Sequence, residues 1–79
     1  MNLKIYVTLK KAILDPQGEA IRNALNNLNF NGITNVRQGK VIHLDLQEND
    51  RDVALMKADE MCKKLLANTT IEDYEIELD

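Results

Sequence analysis

Few residues in this chain could do chemistry, and their spacing argues against an active site built from them. His43 is the only histidine, so neither a Ser-His-Asp relay nor a multi-histidine metal centre can be assembled within one chain. Cys62 is the only cysteine, which excludes an internal disulfide and a cysteine-rich zinc cluster and suits a reducing compartment. It falls on the apolar stripe of a predicted helix, where a free thiol acts as a small buried hydrophobe, and no basic residue is placed to lower its pKa. The carboxylate pairs Asp50/Asp52 and Glu72/Asp73 could bind a cation or exchange protons. Both stand at the ends of predicted elements among 13 acidic residues, which reads as solvated capping charge. Gly39-Lys40 could bring backbone amides and an ammonium to a phosphate. The longer G-x-x-x-x-G-K-[ST] run of a phosphate loop is absent, and a hairpin turn followed by an exposed lysine fits better. The expectation is a chain that is not itself an enzyme and holds no metal or cofactor.

Charge and composition exclude further classes. The net charge is −3, and the ten Lys and Arg residues are scattered with no stripe that could track a phosphate backbone, so nucleic acid is not the expected ligand. The N-terminal Met1–Tyr6 lacks the uninterrupted apolar core of a signal peptide, and no stretch approaches the roughly 20 apolar residues of a membrane span. A cytoplasmic protein with no membrane association is expected. With 44% apolar residues the 79-residue chain is too hydrophobic for intrinsic disorder and should form a single domain over 1–79. A domain this small buries only about 60–65% of its unfolded surface, so a partner interface would add to its stability.

The elements that must position these residues follow from periodicity. Leu3, Ile5, Val7 and Leu9 alternate with Lys4, Tyr6, Thr8 and Lys10, which predicts a strand with one buried face. Asp15-Pro16 supplies an N-cap carboxylate and a proline suited to the first helical position. Ile21, Ala24, Leu25 and Leu28 then form one apolar stripe of a helix, predicted to lie on the sheet, and Asn29–Gly32 reads as its left-handed exit. A weak strand over Ile33–Gln38 and a clearer one over Val41–Gln47 are expected to flank a hairpin at Gly39-Lys40. Glu48-Asn49-Asp50 offers caps for a second helix with Ala54, Ala58, Met61, Cys62 and Leu65 inward and Asn68 as its stop. The stretch around Tyr74, Ile76 and Leu78 alternates with Asp73, Glu75, Glu77 and Asp79, a strand with an acidic outer row. That row reads as a solvated face that discourages edge aggregation, with a docking surface for a basic partner as the sharper alternative.

The order β-α-β-β-α-β predicts an α+β, split-βαβ (ferredoxin-like) two-layer sandwich, two helices on one face of a four-stranded antiparallel sheet. Its open face would show Tyr6, Thr8, Val41 and His43, a mixed surface suited to packing against a second copy as a symmetric homodimer, with a tetramer left open. Gly18, in the first turn of the first helix, gives up roughly 1 kcal/mol of propensity relative to Ala. Either another backbone segment or a partner must come close there.

Val7-Thr8-Leu9-Lys10, Leu14-Asp15-Pro16-Gln17-Gly18, Asn35-Val36-Arg37-Gln38-Gly39-Lys40 and the block Met61–Tyr74 occur in collinear order over essentially the whole chain. Together they closely resemble the PurS family, the small subunit of phosphoribosylformylglycinamidine synthase, also called formylglycinamide ribonucleotide amidotransferase. The chain departs from that pattern at Asn29, where the family often has Gly, and at Thr70, where it has Val. Asn tolerates a left-handed cap and Thr is β-branched like Val, so both changes conserve the backbone requirement. The resemblance implies a non-catalytic subunit of an ATP- and glutamine-dependent step of purine synthesis, in which a glutaminase subunit releases ammonia and a synthetase subunit uses ATP and Mg. The small subunit would join them and assist ammonia transfer. By motif match, the residues nominated for partner contact are Asp15, Pro16 and Gly18, then Gly39 and Lys40, then Asn68, Glu72, Asp73 and Tyr74. Two rivals stand beside this reading. A small dimeric ligand-sensing regulatory domain would share the element order, and a stand-alone hydrolase is weakened by the missing nucleophile and base.

Overall fold

Strict alternation in the first strand sets the whole arrangement. The computed structural model describes residues 1–79 and runs β1 (Asn2–Leu9), α1 (Pro16–Asn27), β2 (Gly39–Asp45), α2 (Arg51–Met61), a π-helical turn (Cys62–Leu66) and β3 (Glu72–Leu78). The strands form one antiparallel sheet in the order β2-β1-β3. Leu3, Ile5 and Val7 of β1 are fully buried in its centre, each contributing roughly 1.5–3 kcal/mol of hydrophobic stabilisation. Register places Leu3 between Leu44 and Leu78, and Ile5 between Ile42 and Ile76, so the inner face is apolar from edge to edge there. Ala54 and Ala58 of α2 are buried, and Cys62 and Ala67 join Ile5 and Val7 in the core. Small residues on α2 let the helix backbone approach the sheet closely.

The expected fourth strand does not form. Ile33–Gln38 is irregular, and Gly39 and Lys40 do not make a hairpin but open β2, opposite Thr8 and Val7 of β1. The apolar residues of the segment, Ile33 and Val36, are three apart and do not alternate, so no strand face can be buried. Its end is fastened by side chains instead of a ladder: Asp15 takes the Gln38 amide, and Arg37 donates to the carbonyls of Leu9 and Lys10. The chain reverses earlier, through Asn29 (φ 69°) and Gly32 (φ 86°), the left-handed exit that the Asn-Gly composition predicts.

Only α2 covers the sheet. Of the residues in α1, Gly18 alone is buried, and Leu28 at its end is 66% exposed, so the predicted two-helix layer is a one-helix layer with α1 standing away. A third difference lies at the end of α2. Leu65, expected inward, is 84% exposed. The wider π turn, closed by Ala67 N–H donating to Cys62 O, rotates the register so that Leu66 and Ala67 face the core in its place. No helix is long and apolar enough to cross a membrane.

Candidate protein interface

Four chain segments meet where β1 ends, held by backbone ladders and by side chains bonded to backbone. The Lys10 amide donates to Ile71 O just before β3, while the Lys10 carbonyl accepts from the Ile13 amide and from Arg37. Asp15 lies at the centre. As the α1 N-cap, its Oδ1 accepts from the Gly18 amide at 3.0 Å, and its Oδ2 accepts from the Gln38 amide at 2.7 Å. One carboxylate therefore closes a helix start and pins the approach to β2. The two backbone donors, Gln38 above all, hold the Asp15 carboxyl below its ordinary range against the opposing effect of burial.

Gly18 resolves a choice left open by the sequence. A Cβ there would overlap the Val36 carbonyl oxygen, so it is another backbone segment of the same chain that crosses the first turn of α1. Gly39 has a similar constraint, since a Cβ would meet Thr8 Cγ2 at 2.7 Å and Val7 O at 2.8 Å.

Around this latch lies an open cleft of about 340 Å³, lined by Val7, Leu9, Asp15, Gln17, Gln38, Gly39, Lys40 and Glu72. Of the nominated contact residues it gathers Asp15, Gly39, Lys40 and Glu72. Lys40 and Glu72 are inward-facing by register, paired with Val7 and Leu9, so the apolar inner face changes to a polar, bipolar lip at this end. Asn68 joins through Glu72: the Asn68 amide donates to Glu72 Oε1 at 2.7 Å, and Asn68 Oδ1 accepts from the Thr70 amide. Pro16 is exposed beside the cap, while Gly18 is buried and offers no surface.

Asp73 and Tyr74 go elsewhere. Asp73 is on the outer sheet face opposite Thr8. Tyr74 is half-buried on the inner face, and its hydroxyl donates to Asp59 Oδ1 at 2.5 Å, with Lys63 on Asp59 Oδ2 at 3.0 Å. This chain ties β3 to the end of α2. Thr8, Val41 and His43 are exposed on the outer face, with half-buried Tyr6 donating to Glu77 Oε2 at 2.7 Å. Burial pushes the Cys62 thiol up, which disfavours the thiolate. Sequence reasoning missed Arg37 and Gln38 as part of the latch. The signal available was an arginine in a segment with no strand alternation, but nothing in the sequence tells which carbonyls it meets.

These features define a small α+β domain with a three-stranded antiparallel sheet and a polar cleft at one end of it. The profile of the PurS family, described as phosphoribosylformylglycinamidine (FGAM) synthase, matches residues 2–79, and the chain belongs to that family. It is 47% identical over 78 residues to the phosphoribosylformylglycinamidine synthase subunit PurS of Bacillus subtilis, covering 99% of this chain and 92% of that one. The PurS structure from Methanocaldococcus jannaschii, one of the subunits of formylglycinamide ribonucleotide amidotransferase in the purine biosynthetic pathway, superposes with a TM-score of 0.89 at 41% identity, over 99% of this chain and 94% of that one. A chain of PurLQS from Thermotoga maritima superposes with a TM-score of 0.84 at 28% identity, over 98% of this chain and 96% of that one.

Proposed function

We propose that this chain is the small subunit of phosphoribosylformylglycinamidine synthase in purine biosynthesis. In that role it bridges the glutaminase and synthetase subunits and supplies no catalytic residue of its own. The overall step is the glutamine- and ATP-dependent conversion of formylglycinamide ribonucleotide to formylglycinamidine ribonucleotide. ATP and Mg act in the synthetase subunit, and ammonia passes from the glutaminase under the shelter of the assembly. The observation that carries this reading is the full-length superposition on a chain of the PurLQS structure, a fold match that extends beyond any short motif. The residue chemistry supports it: the motif residues bond to backbone, and the thiol is buried.

In this reading the polar cleft with Lys40 and Glu72 at its lip meets another subunit, with Pro16, Asn68 and Asp73 exposed nearby. The outer face with Tyr6, Thr8, Val41 and His43 pairs copies of the chain, giving a homodimer that can associate further into a tetramer. The complex works in the cytoplasm. The test is amidine formation by purified glutaminase and synthetase subunits with this chain added or omitted. Activity that requires the chain, with none from the chain alone, is the expected result; activity indifferent to it would overturn the proposal.

A further inference from the structure

β3 is an edge strand, and half of its backbone groups have no strand to bond. At one end of the β1–β3 ladder the Lys10 amide donates to Ile71 O at 2.9 Å, and at the other the Asp79 amide donates to Asn2 O at 3.0 Å. Bonded pairs alternate along an antiparallel ladder, so Asp73, Glu75 and Glu77 turn their amides and carbonyls toward β1. Those of Tyr74, Ile76 and Leu78 point the other way, to an edge with no further strand. The next amide in this row, that of Glu72, donates to Asn68 O at 2.7 Å, so the open stretch begins at Tyr74.

Sheet edges are ordinarily blunted by a proline, a bulge, a very short strand or an inward-pointing charge. From Tyr74 to Leu78 none of these is present. The register with β1 is unbroken, and the inner row of Tyr74, Ile76 and Leu78 is aromatic and aliphatic and half-buried. Selectivity at this edge comes from the outer row. Asp73, Glu75, Glu77 and Asp79 are all exposed, and none of them enters an ion pair. Lys4 stands opposite Glu77 in register yet forms no ion pair, and the Glu77 carboxylate accepts from the Tyr6 hydroxyl instead. The row therefore keeps its negative charge, at a repeat of about 6.8 Å along the strand.

We propose that this edge accepts one added strand from another subunit of the assembly, with basic residues in its outer row and apolar residues in its inner row. Main-chain bonds to Tyr74, Ile76 and Leu78 hold the strand, and the acidic row selects it. Side chains directly opposite across a strand pair are about 4.5–5.5 Å apart, so Lys or Arg at alternate positions each meet a carboxylate. The same row rejects a second β3, because two copies paired edge to edge would set carboxylate against carboxylate. This inference rests on the proposed function and adds the chemistry of the partner element.

The test is amide hydrogen exchange of the chain, quenched and read residue by residue, alone and in complex with the purified glutaminase and synthetase subunits. The Tyr74, Ile76 and Leu78 amides should slow at least tenfold on assembly, while those of Asp73, Glu75 and Glu77 are protected in both states. Unchanged exchange in a complex that forms overturns this inference alone. Failure of the complex to form overturns it together with the proposed function. Slow exchange at the three edge amides in the chain alone, lost on dilution, means that copies pair there and also overturns it. Glu75→Lys tests the selection by charge, and the Glu75 side chain makes no hydrogen bond or ion pair that the change would break. With circular dichroism retained, capture of the two subunits should fall at least fivefold at low ionic strength, the loss narrowing as salt is raised. Capture equal to the wild type overturns the proposal, and should the variant fail to fold, the exchange pattern decides.

Discussion

Asp15 and Gln38 are 23 residues apart in sequence, and 2.7 Å separates the Asp15 carboxylate from the Gln38 amide nitrogen. The same carboxylate caps α1 through the Gly18 amide, so two backbone donors share one buried acceptor. Asp15→Asn keeps the size of the side chain but turns an amide NH₂ toward one of those donors. The melting temperature should fall by roughly 5 °C or more, the response expected of a small domain in which one of these two backbone donors loses its acceptor and faces an NH₂ instead. Differential scanning calorimetry of the two proteins is the measurement, and an unchanged melting temperature would contradict the latch.

The same carboxylate predicts a pH signature. Its pKa in the folded chain lies below the ordinary 3.8, because the Gln38 and Gly18 amides favour the charged form. The stability it contributes is therefore fully present above its unfolded value and lost as pH falls through the lower folded value. Asn does not titrate, so the gap in melting temperature between wild type and Asp15→Asn should be constant from about pH 5 to 7 and narrow below about pH 4. A gap that widened on acidification would have the wrong sign.

Gly18→Ala separates helix propensity from packing. Propensity alone favours Ala by about 1 kcal/mol. Overlap of the new Cβ with the Val36 carbonyl forces a backbone shift that costs about 1–3 kcal/mol. The net expectation is destabilisation by up to about 2 kcal/mol, read as a lower urea midpoint at unchanged slope. Stabilisation would mean that the crossing segment moves aside freely.

The local half of this fold was legible because it is written in short-range patterns. Alternation in Leu3–Leu9 and Tyr74–Leu78, the Asp15-Pro16 cap and the Asn29 exit each fix a backbone conformation within a few residues. The misreadings are of longer range. Whether α1 lies on its own sheet depends on how the latch sets its direction, which no amphipathic stripe encodes, and Ile33–Gln38 has its backbone held by residues distant in sequence. Leu65 was placed by a period of 3.6 that the π turn interrupts. For the site, family motifs marked Asp15, Gly18 and Gly39, but only the fold distinguishes their internal bonding from the exposed lip at Lys40.

Both tyrosines should titrate above their ordinary value of 10.0. Tyr74 is raised first by its hydrogen bond to Asp59 and Tyr6 first by its bond to Glu77, since each carboxylate favours the protonated phenol. Absorbance at the phenolate band should therefore rise later in the native protein than in urea. Tyr74→Phe should leave one raised transition and lower the melting temperature by about 2–5 °C, because β3 loses its polar tie to α2. The sign for stability follows: the contribution of each phenol is present below its unfolded pKa and lost as pH rises through the folded one. Coincident native and unfolded titrations would remove these bonds from the account.

Lys40→Glu tests the cleft as a subunit contact without disturbing the fold. Lys40 is exposed, forms none of the ion pairs in the structure and pairs through its backbone with Val7 at the start of β2. Its reversal should change folding stability by no more than about 0.5 kcal/mol, the usual range for a surface site. The substituted carboxylate would stand at the lip that already holds Glu72 and Asp15, converting a bipolar surface into an acidic one. A partner surface complementary to the native lip would then meet like charge, which weakens association most at low salt. Capture of the synthetase subunit by the tagged variant should fall at least fivefold at low ionic strength, with part of the difference lost as salt is raised. Equal capture at every salt concentration would exclude the lip as a contact and leave the outer sheet face as the surface to mutate next.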